Sequence, residues 1–204
     1  MSKEYLDKVY ELTEGGDSRA LYAEWAETYE AELAANGYAT PTRIATALAR
    51  FSKDKSAPLL DYGCGTGLSG AALHKAGFTT IDGIDATPEM LEIARTKSVY
   101  RNLDLADPAQ PAPITPGAHS MITAIGVIGI GAAPLSLFDE LMTALPRGGL
   151  FAFSFNDHSL EQPEYEAKIM EWTDGGASRL LCREHGDHIP GKDLKSNIYV
   201  LEKA

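Results

Sequence analysis

The sequence lacks the features that direct a chain to a membrane or to nucleic acid. No apolar run reaches the roughly 20 residues that a membrane-spanning helix needs, and residues 1–18 hold no apolar segment typical of a signal peptide. The 29 acidic and 18 basic residues give a net charge of −11, and Lys and Arg form no cluster. Long-range attraction to nucleic acid or an anionic membrane is therefore not expected. We predict a small-molecule substrate, no nucleic-acid or membrane partner, and a monomer or homodimer.

Cysteine is also scarce, with Cys64 and Cys182 as the two residues of this type. Cys64 lies within a glycine-rich segment, where a disulfide would obstruct the close approach of backbone to ligand that such segments permit. A reduced setting is the simpler interpretation, and we expect a cytoplasmic protein.

The chain divides into three stretches, which we predict to form one domain over residues 1–204. Residues 1–56 are predicted to be helical, with an amphipathic stripe that recurs every fourth position at Leu21, Trp25, Tyr29 and Leu33. Residues 57–155 alternate apolar strand-like runs with helical patterns, which is typical of a parallel sheet covered on both faces. Residues 156–204 hold one helix and two extended stretches that can pair antiparallel at the edge of the sheet.

The expected fold is thus α/β: a doubly wound, mostly parallel seven-stranded sheet with helices on both faces, an antiparallel C-terminal strand and a helical N-terminal lid. The predicted strands are 58–62, 79–84, 100–106, 120–125, 150–155, 178–184 and 197–202. The predicted helices after the lid are 68–76, 88–97, 135–145 and 163–172.

The most informative segment is LLDYGCGTGLSG, residues 59–70. A buried strand ends there, and glycines at alternate positions from Gly63 to Gly67 allow a tight turn with backbone close to a ligand. The next strand ends at Asp85, where an acid accepts both hydroxyls of a ribose. A loop and a carboxylate therefore converge on one nucleoside-like ligand.

A dinucleotide is one nucleoside-like ligand that fits such a loop. Residues 65–70 satisfy the G-x-G-x-x-G fingerprint of NAD-type oxidoreductases, which remain the alternative function. A carboxylate at Asp61 disfavours a pyrophosphate beside the loop, and the absence of a lysine after Gly67 argues against a nucleoside triphosphate.

Several segments in combination resemble class I S-adenosylmethionine-dependent methyltransferases. An acid, one residue and G-x-G-x-G at residues 61–67 resemble the first motif of that family, and IDGIDATPEMLEIAR at 81–95 resembles the second. LPRGGLFAFSF at 145–155 is similar to the run into the fifth strand. The segments at 22–33 and 99–111 resemble a subgroup: the small methyltransferases related to the Williams–Beuren syndrome region protein and to domains attached to TPR repeats. The resemblance implies S-adenosylmethionine as cofactor and methyl transfer, or binding of this cofactor without turnover, as the function.

For the methionine and ribose of the cofactor, the resemblance implies contacts along the first two strands. Gly63, Cys64 and Gly65 pass beneath these groups. Asp61 helps to hold the amino group, directly or through water, and Asp85 takes the ribose hydroxyls.

For the adenine, the resemblance implies that Ala86 and Met90 border the ring and that Asp107 accepts the adenine amino group. The sequence departs from the family here, because Pro108 has no N–H to offer the ring nitrogen. Asp104 is the alternative if the third strand ends earlier.

The aromatic stripe of the leader has two interpretations. Tyr22, Trp25 and Tyr29 either pack as core or, as the resemblance implies, cover the cofactor pocket, with Tyr22 or Tyr29 against the carboxylate or sulfonium end. We predict Tyr22 and Tyr29 as cofactor contacts.

The acceptor side offers no evident catalytic base. The loop at 125–134 is apolar and glycine-rich, lies at the carboxyl ends of the strands beside the transferred methyl, and begins at Ile125, a predicted cofactor contact. It lacks the Asn/Asp-Pro-Pro-Tyr/Phe sequence of amino-directed nucleic-acid methyltransferases. The residues at 156–158 either face the acceptor or form a polar turn, and we favour the turn.

The polar residues near the C-terminus invite a metal-site hypothesis. Glu184, His185, Asp187 and His188 lie close together in the sequence, but no further cluster completes a coordination sphere. We interpret the segment as a solvated hairpin loop, which shapes acceptor choice if it folds over the pocket, and predict no metal.

Overall fold

The structure is a computed structural model that describes Tyr5 and residues 19–107, 109–110 and 113–204. Pro108, and residues 6–18 of the predicted helical leader, lie outside these residues. Within the described ranges no helix combines the length and apolar character that crossing a membrane requires.

The helices and strands alternate as the sequence predicts. The helices are α1 Arg19–Ala35, α2 Thr40–Phe51, α3 Leu68–Lys75, α4 Pro88–Thr96, α5 Ser136–Ala144, α6 Asp157–Leu160 and α7 Pro163–Asp174. The strands are β1 Leu59–Tyr62, β2 Ile81–Asp85, β3 Asn102–Leu105, β4 Met121–Ala124, β5 Leu150–Asn156, β6 Ser178–Ile189 and β7 Leu194–Lys203. The bounds of the central elements differ from the predicted ones by a few residues at most.

The described strands form one seven-stranded sheet in the order β3-β2-β1-β4-β5-β7-β6. The first five strands of this order are parallel, and β7 pairs antiparallel with both β5 and β6. The chain order reverses between β1 and β4, which lie side by side. Open α/β sheets bind ligands at such a switch point, outside the carboxyl ends of the strands.

Two apolar cores cover the two faces of the sheet, because successive strand residues point to opposite sides. Leu59 of β1 packs with Ile44 and Leu48 of α2, whereas Leu60 packs with Phe138 of α5 on the other face. The predicted doubly wound α/β fold is confirmed.

The hairpin of β6 and β7 differs from the predicted solvated loop. Both strands extend well into the polar segment, and the turn is confined to Pro190–Lys192 with Asp193 in the left-handed conformation at φ 53°. The reason is tertiary: the Arg43 guanidinium on α2 donates to the carbonyl oxygens of Glu184 at 2.9 Å and Asp187 at 2.8 Å. These contacts hold the hairpin against α2, and the prediction of a loop was wrong.

Candidate functional site

The glycine loop after β1 is tied to the end of β2. The N–H groups of Gly63 and Cys64 both donate to the carbonyl oxygen of Ile84, at 2.7 and 3.0 Å. Gly63 and Gly65 have φ values of +68° and +53°, which side chains with a Cβ rarely adopt. A Cβ at Gly63 would lie 2.4 Å from Val127 Cγ2, but one at Gly65 would meet no atom of the described residues within 4 Å. The loop is therefore packed at Gly63 and open at Gly65.

Asp85 stands at the mouth of this loop. Its Oδ2 accepts from the Gly65 N–H at 2.8 Å, and its Oδ1 accepts from the Thr87 N–H at 2.9 Å. Burial raises the pKa of this half-buried carboxyl, although the backbone donors oppose the rise. The loop and the acid thus converge at one point in space, as the sequence indicated.

An open cleft of about 530 Å³ begins beside Asp85. The predicted adenine neighbours Ala86 and Asp107 both line it, together with Leu105, whose side chain is 56% exposed. Asp104 lies within β3, opposite Ile84, and is absent from the described lining of the cleft. The geometry therefore favours Asp107 over Asp104 as the neighbour of a ligand in this cleft.

Asp61 lies beneath the loop and is fully buried. Its carboxylate accepts hydrogen bonds from Ser69 Oγ at 2.6 Å, the Tyr100 hydroxyl at 2.8 Å and Thr123 Oγ1 at 2.9 Å. Burial raises the pKa of Asp61 to about 6, even though the three hydroxyl donors lower it. The observed partners make Asp61 the support of the loop, and its contact with a cofactor amino group stays a prediction.

Sequence reasoning missed Tyr100 as a member of this network. The Gly70 N–H donates to the Tyr100 hydroxyl at 3.1 Å, and a Cβ at Gly70 would lie 2.3 Å from that oxygen. Gly70 therefore leaves the space that Tyr100 needs to reach Asp61. The third glycine of the G-x-G-x-x-G pattern supplies this close approach, but nothing in the sequence identified its partner.

Three predicted cofactor contacts have side chains that point into the protein. Cys64, Met90 and Ile125 are buried, and burial raises the pKa of the Cys64 thiol. Neither described cavity at this end of the sheet has any of them in its lining. As cofactor contacts these three residues stay predictions.

A second cavity, of about 70 Å³, lies between the leader helix and the sheet. It brings together four distant segments, represented by Tyr22 and Tyr29 of α1, Gly129 of the loop after β4, Asn156 of β5 and His188 of the hairpin. The predicted tyrosines therefore do line a cavity, and Trp25 between them is buried, packs with Leu33 and lines the same cavity. The stripe serves as core and as cavity wall at once.

The polar residues after β5 separate in the structure. Asn156 lines the second cavity, and its Oδ1 caps α6 by accepting from the Ser159 N–H at 3.0 Å. Asp157 instead accepts from the Lys195 N–H at 3.1 Å, and His158 is exposed. Of these three residues, Asp157 and His158 fit the predicted polar turn. Asn156 is the one whose position also fits the hypothesis that a residue here faces the acceptor.

The hairpin brings His188 and Ile189 into the wall of the second cavity. His188 is only 5% exposed, contrary to the solvated position predicted for it. Among the residues that the structure describes, no three His, Cys, Asp or Glu side chains are grouped in a way that holds a metal.

The site fits the cofactor of the resembling family. Gly65 presents bare backbone to open space, Leu105 exposes apolar surface in the cleft, and Asp85 places a carboxylate between them. Thr66 Oγ1 in the loop is buried and has no hydrogen-bond partner among the described residues, so a bound polar ligand would satisfy it. The strand order, loop and acid define a methyltransferase domain of the class I, S-adenosylmethionine-dependent type.

Comparison with known proteins agrees with this class. A family model described as "Methyltransferase domain" matches residues 36–197, and the chain belongs to that family. The human methyltransferase-like protein 27 is 32% identical over 142 residues, which cover 68% of this chain and 58% of that protein. The 18S rRNA (guanine-N(7))-methyltransferase of Bos taurus is 32% identical over 123 residues, covering 55% of this chain and 43% of that protein. The chain thus spans about half the length of these relatives.

A solved structure shows the same fold at greater distance. A chain from the complex between the Haloferax volcanii Trm112 methyltransferase activator and a methyltransferase superposes with a TM-score of 0.65 at 16% identity. The match covers 89% of this chain and 97% of that one. It extends the likeness into the last 50 residues, for which the sequence carried only a general pattern.

Proposed function

We propose that this chain binds S-adenosylmethionine across the carboxyl end of the sheet and transfers its methyl group to a small, uncharged acceptor. One observation carries the proposal: the glycine loop contacts a residue next to each cavity, Asp85 beside Ala86 of the open cleft and Val127 beside Gly126 of the second cavity. Gly63 packs on Val127 of the loop after β4, and that loop lines the second cavity through Gly126 and Gly129. A cofactor lying over Gly65 would therefore have its adenosine in the open cleft and its methionine end beside the second cavity.

The described residues supply distinct contacts in this arrangement. Asp85 accepts the ribose hydroxyls, Leu105 and Ala86 pack on the adenine, and Asp107 accepts its amino group. The methionine portion lies over Gly65. Asp61, enclosed by hydroxyl groups, acts one layer below by holding β1, α3 and β4 in register.

Methyl transfer needs alignment more than acid–base chemistry. S-adenosylmethionine, when bound, supplies an electrophilic methyl group on a sulfonium. Tyr22 and Tyr29 line the second cavity from α1, and Gly129 lines it from the loop after β4. Holding a nucleophile in line with the methyl group accounts for much of the rate in such a displacement.

The class of acceptor follows from the electrostatics. The described lining of the second cavity contains no Lys, Arg, Asp or Glu, and its His188 is buried. A cationic acceptor group would lose its hydration there without a counter-charge from the described lining, at a cost of several kcal/mol, and an anionic one would have only the sulfonium of the cofactor to offset that cost. The net charge of −11 also opposes binding to RNA, although a relative is named for methylation of guanine in 18S rRNA.

Calorimetry and a transfer assay test the proposal in sequence. We expect the full chain to bind S-adenosylhomocysteine and not NAD; the reverse result would overturn the assignment of the cofactor. Protein given methyl-labelled S-adenosylmethionine is then mixed in parallel with a low-molecular-mass metabolite extract and with total RNA. Label in the small-molecule fraction supports the proposed acceptor, label in RNA contradicts it, and binding without transfer to either identifies a binding-only protein.

A further inference from the structure

One face of β5 changes from apolar to polar as the strand leaves the core. Leu150 and Ala152 pack in the core between the sheet and α2. Ser154 and Asn156 continue this face, because alternate residues of a strand point to the same side of the sheet. Both of them line the second cavity. The strand thus carries two polar side chains from the edge of the core into the cavity wall.

Each of these side chains accepts a hydrogen bond from a backbone donor. The Gly126 N–H donates to Ser154 Oγ at 3.0 Å, and the Ser159 N–H donates to Asn156 Oδ1 at 3.0 Å. A backbone N–H only donates, so the direction of both bonds is fixed. The Asn156 amide group consequently directs its oxygen to α6 and its Nδ2 away from the Ser159 N–H.

The donors of the same two side chains are unused. In the part of the chain that the structure describes, the Ser154 hydroxyl proton and the Asn156 amide hydrogens have no acceptor. Bulk water has little access to Ser154, which is 3% exposed. Because nearly all buried polar groups in proteins are hydrogen-bonded, unused donors in a cavity wall indicate that the cavity receives a molecule with an accepting atom.

The geometry and charge of this wall narrow the class of that atom. Alternate residues lie about 7 Å apart along a strand, so one atom between their side chains can accept from both. A carbonyl oxygen, with two lone pairs and no proton, matches two donors. A carboxylate would bring a full negative charge, and the described lining of the second cavity holds no Lys or Arg to balance it.

We propose that Ser154 and Asn156 are the residues by which the second cavity recognises its methyl acceptor, each donating a hydrogen bond to a neutral carbonyl oxygen of that molecule. This proposal rests on the proposed function, because it assumes that the cavity holds the acceptor. The acceptor class is thereby narrowed to small ketones, amides or esters. A site built around donors rejects analogues that lack the accepting atom, since the donors are then left without a partner.

A variant of Asn156 removes one donor and keeps the local structure. In Asn156→Asp an oxygen still accepts from the Ser159 N–H, and aspartate is a favoured residue at the start of a helix, so we expect the fold to be retained. Gln162→Glu is the matched control. It makes the same change from amide to carboxylate on an exposed side chain outside the described lining of the second cavity.

The experiment uses two probes of nearly the same shape, acetone and 2-methylpropene, of which only acetone has a carbonyl oxygen. Binding to the isotope-labelled full chain, saturated with S-adenosylhomocysteine, is followed by NMR. Acetone should shift the Asn156 side-chain amide signals of the wild type in a saturable manner. Asn156→Asp should weaken acetone binding about tenfold or more, because an acceptor then faces the carbonyl oxygen, and should change 2-methylpropene binding by less than about threefold. Gln162→Glu should change neither.

Three results would overturn the proposal. The first is an equal effect of Asn156→Asp on both probes, and the second is the lack of a saturable shift of the Asn156 amide signals with acetone, as expected if ordered water alone occupies the wall. The third is acetone binding beside 5′-methylthioadenosine, which lacks the carboxylate of S-adenosylhomocysteine, but not beside S-adenosylhomocysteine itself. That result would assign the two donors to the cofactor.

The same titrations in the ligand-free chain separate this proposal from the proposed function. If the proposed function fails, S-adenosylhomocysteine does not bind, while acetone binding still depends on Asn156. If recognition alone fails, S-adenosylhomocysteine binds and Asn156→Asp leaves acetone binding unchanged.

Discussion

The proposed cofactor side, which is the glycine loop and the open cleft, differs from the proposed acceptor side, which is the second cavity, in how its residues are brought together. The proposed cofactor side is assembled from residues 61–107, in two successive βα units and the strand that follows them, with contacts such as Gly65 to Asp85 at 20 positions' separation. The proposed acceptor side is assembled from α1, the loop after β4, β5 and the β6–β7 hairpin, and Thr40 of α2 contacts His188 of this hairpin across 148 positions. On the proposed function, a ligand common to many proteins would be held by a local motif, whereas the partner that varies would be held by residues that the tertiary fold unites.

The largest effect should come from Asp85→Ala, which removes the central acid of the cofactor side. Two hydrogen bonds to a charged group contribute about 1.5–3 kcal/mol each, so affinity for S-adenosylhomocysteine should fall by about two to four orders of magnitude. Titration calorimetry measures this loss, and circular dichroism checks the fold. Asp104→Ala is the matched control, because the Asp104 side chain is exposed on β3 outside the cleft. The affinity of this variant for S-adenosylhomocysteine should stay within about threefold of the wild-type value. A similar affinity in both variants would remove Asp85 from the site.

Two glycine substitutions separate packing from ligand space within the same loop. Gly63→Ala drives a Cβ against Val127 and should lower the free energy of unfolding by about 2–5 kcal/mol, the sum of left-handed strain and overpacking. The Cβ added by Gly65→Ala meets no atom in the part of the chain that the structure describes, so this change should cost only the strain, about 1–2 kcal/mol, while weakening cofactor binding. Urea unfolding and calorimetry on both variants provide the comparison. If Gly65→Ala bound S-adenosylhomocysteine normally, the open space over Gly65 would not be the cofactor site.

Asp61 should make the stability of the cofactor side depend on pH. Its folded pKa of about 6 lies above its ordinary value, so its stabilising contribution is complete below about pH 4 and is lost as the pH rises through 6. The wild type should therefore lose about 3 kcal/mol relative to Asp61→Asn between about pH 4 and pH 7. Urea unfolding of both proteins across this range measures the difference, and a constant difference would contradict the prediction.

Asp82 on the same sheet provides a control, because its pKa is shifted in the opposite direction from that of Asp61. Although burial opposes its ionisation, hydrogen bonds from Arg101, His119 and Asn102 lower the pKa of Asp82 to about 2. Its contribution is therefore present above the ordinary pKa of an aspartate and lost as the pH falls toward 2. Asp82→Asn should leave the decline between pH 4 and pH 7 unchanged.

The smallest effect should appear in the leader helix, on the acceptor side. Helix α1 is attached through Trp25 and Leu33 and through an ion pair at 2.7 Å between Glu30 and Lys97 of the segment after α4. If Tyr22 and Tyr29 contact the cofactor, S-adenosylhomocysteine should slow amide exchange in α1 by about tenfold, an increase of about 1.4 kcal/mol in the free energy of opening. Mass-spectrometric exchange measures this, with α2 as an internal control. Equal exchange with and without the ligand would leave the stripe as core packing.

How much of the structure could be predicted from the sequence also differs between contacts that are local in the sequence and contacts that are not. The alternating periodicity predicted the fold, and the glycines and Asp85 predicted that the loop and the acid converge, because each of these signals lies within a short stretch of sequence. The role of Tyr100 beneath the loop could not be predicted from the sequence, because it depends on the space left by Gly70. The buried hairpin at His188 was missed for a similar reason: its polar residues are paired by Arg43 and Thr40, far away in the sequence.

If adenine packs on Leu105 as proposed, this residue links the abundance of folded protein to the supply of cofactor. Its half-exposed side chain in the cleft is apolar surface that the fold leaves in water and that an adenine would cover. A ligand that binds only the folded state stabilises it by mass action, by about 2.7 kcal/mol at a hundredfold excess over the dissociation constant. The survival of this protein against unfolding and proteolysis should therefore rise and fall with the local concentration of S-adenosylmethionine.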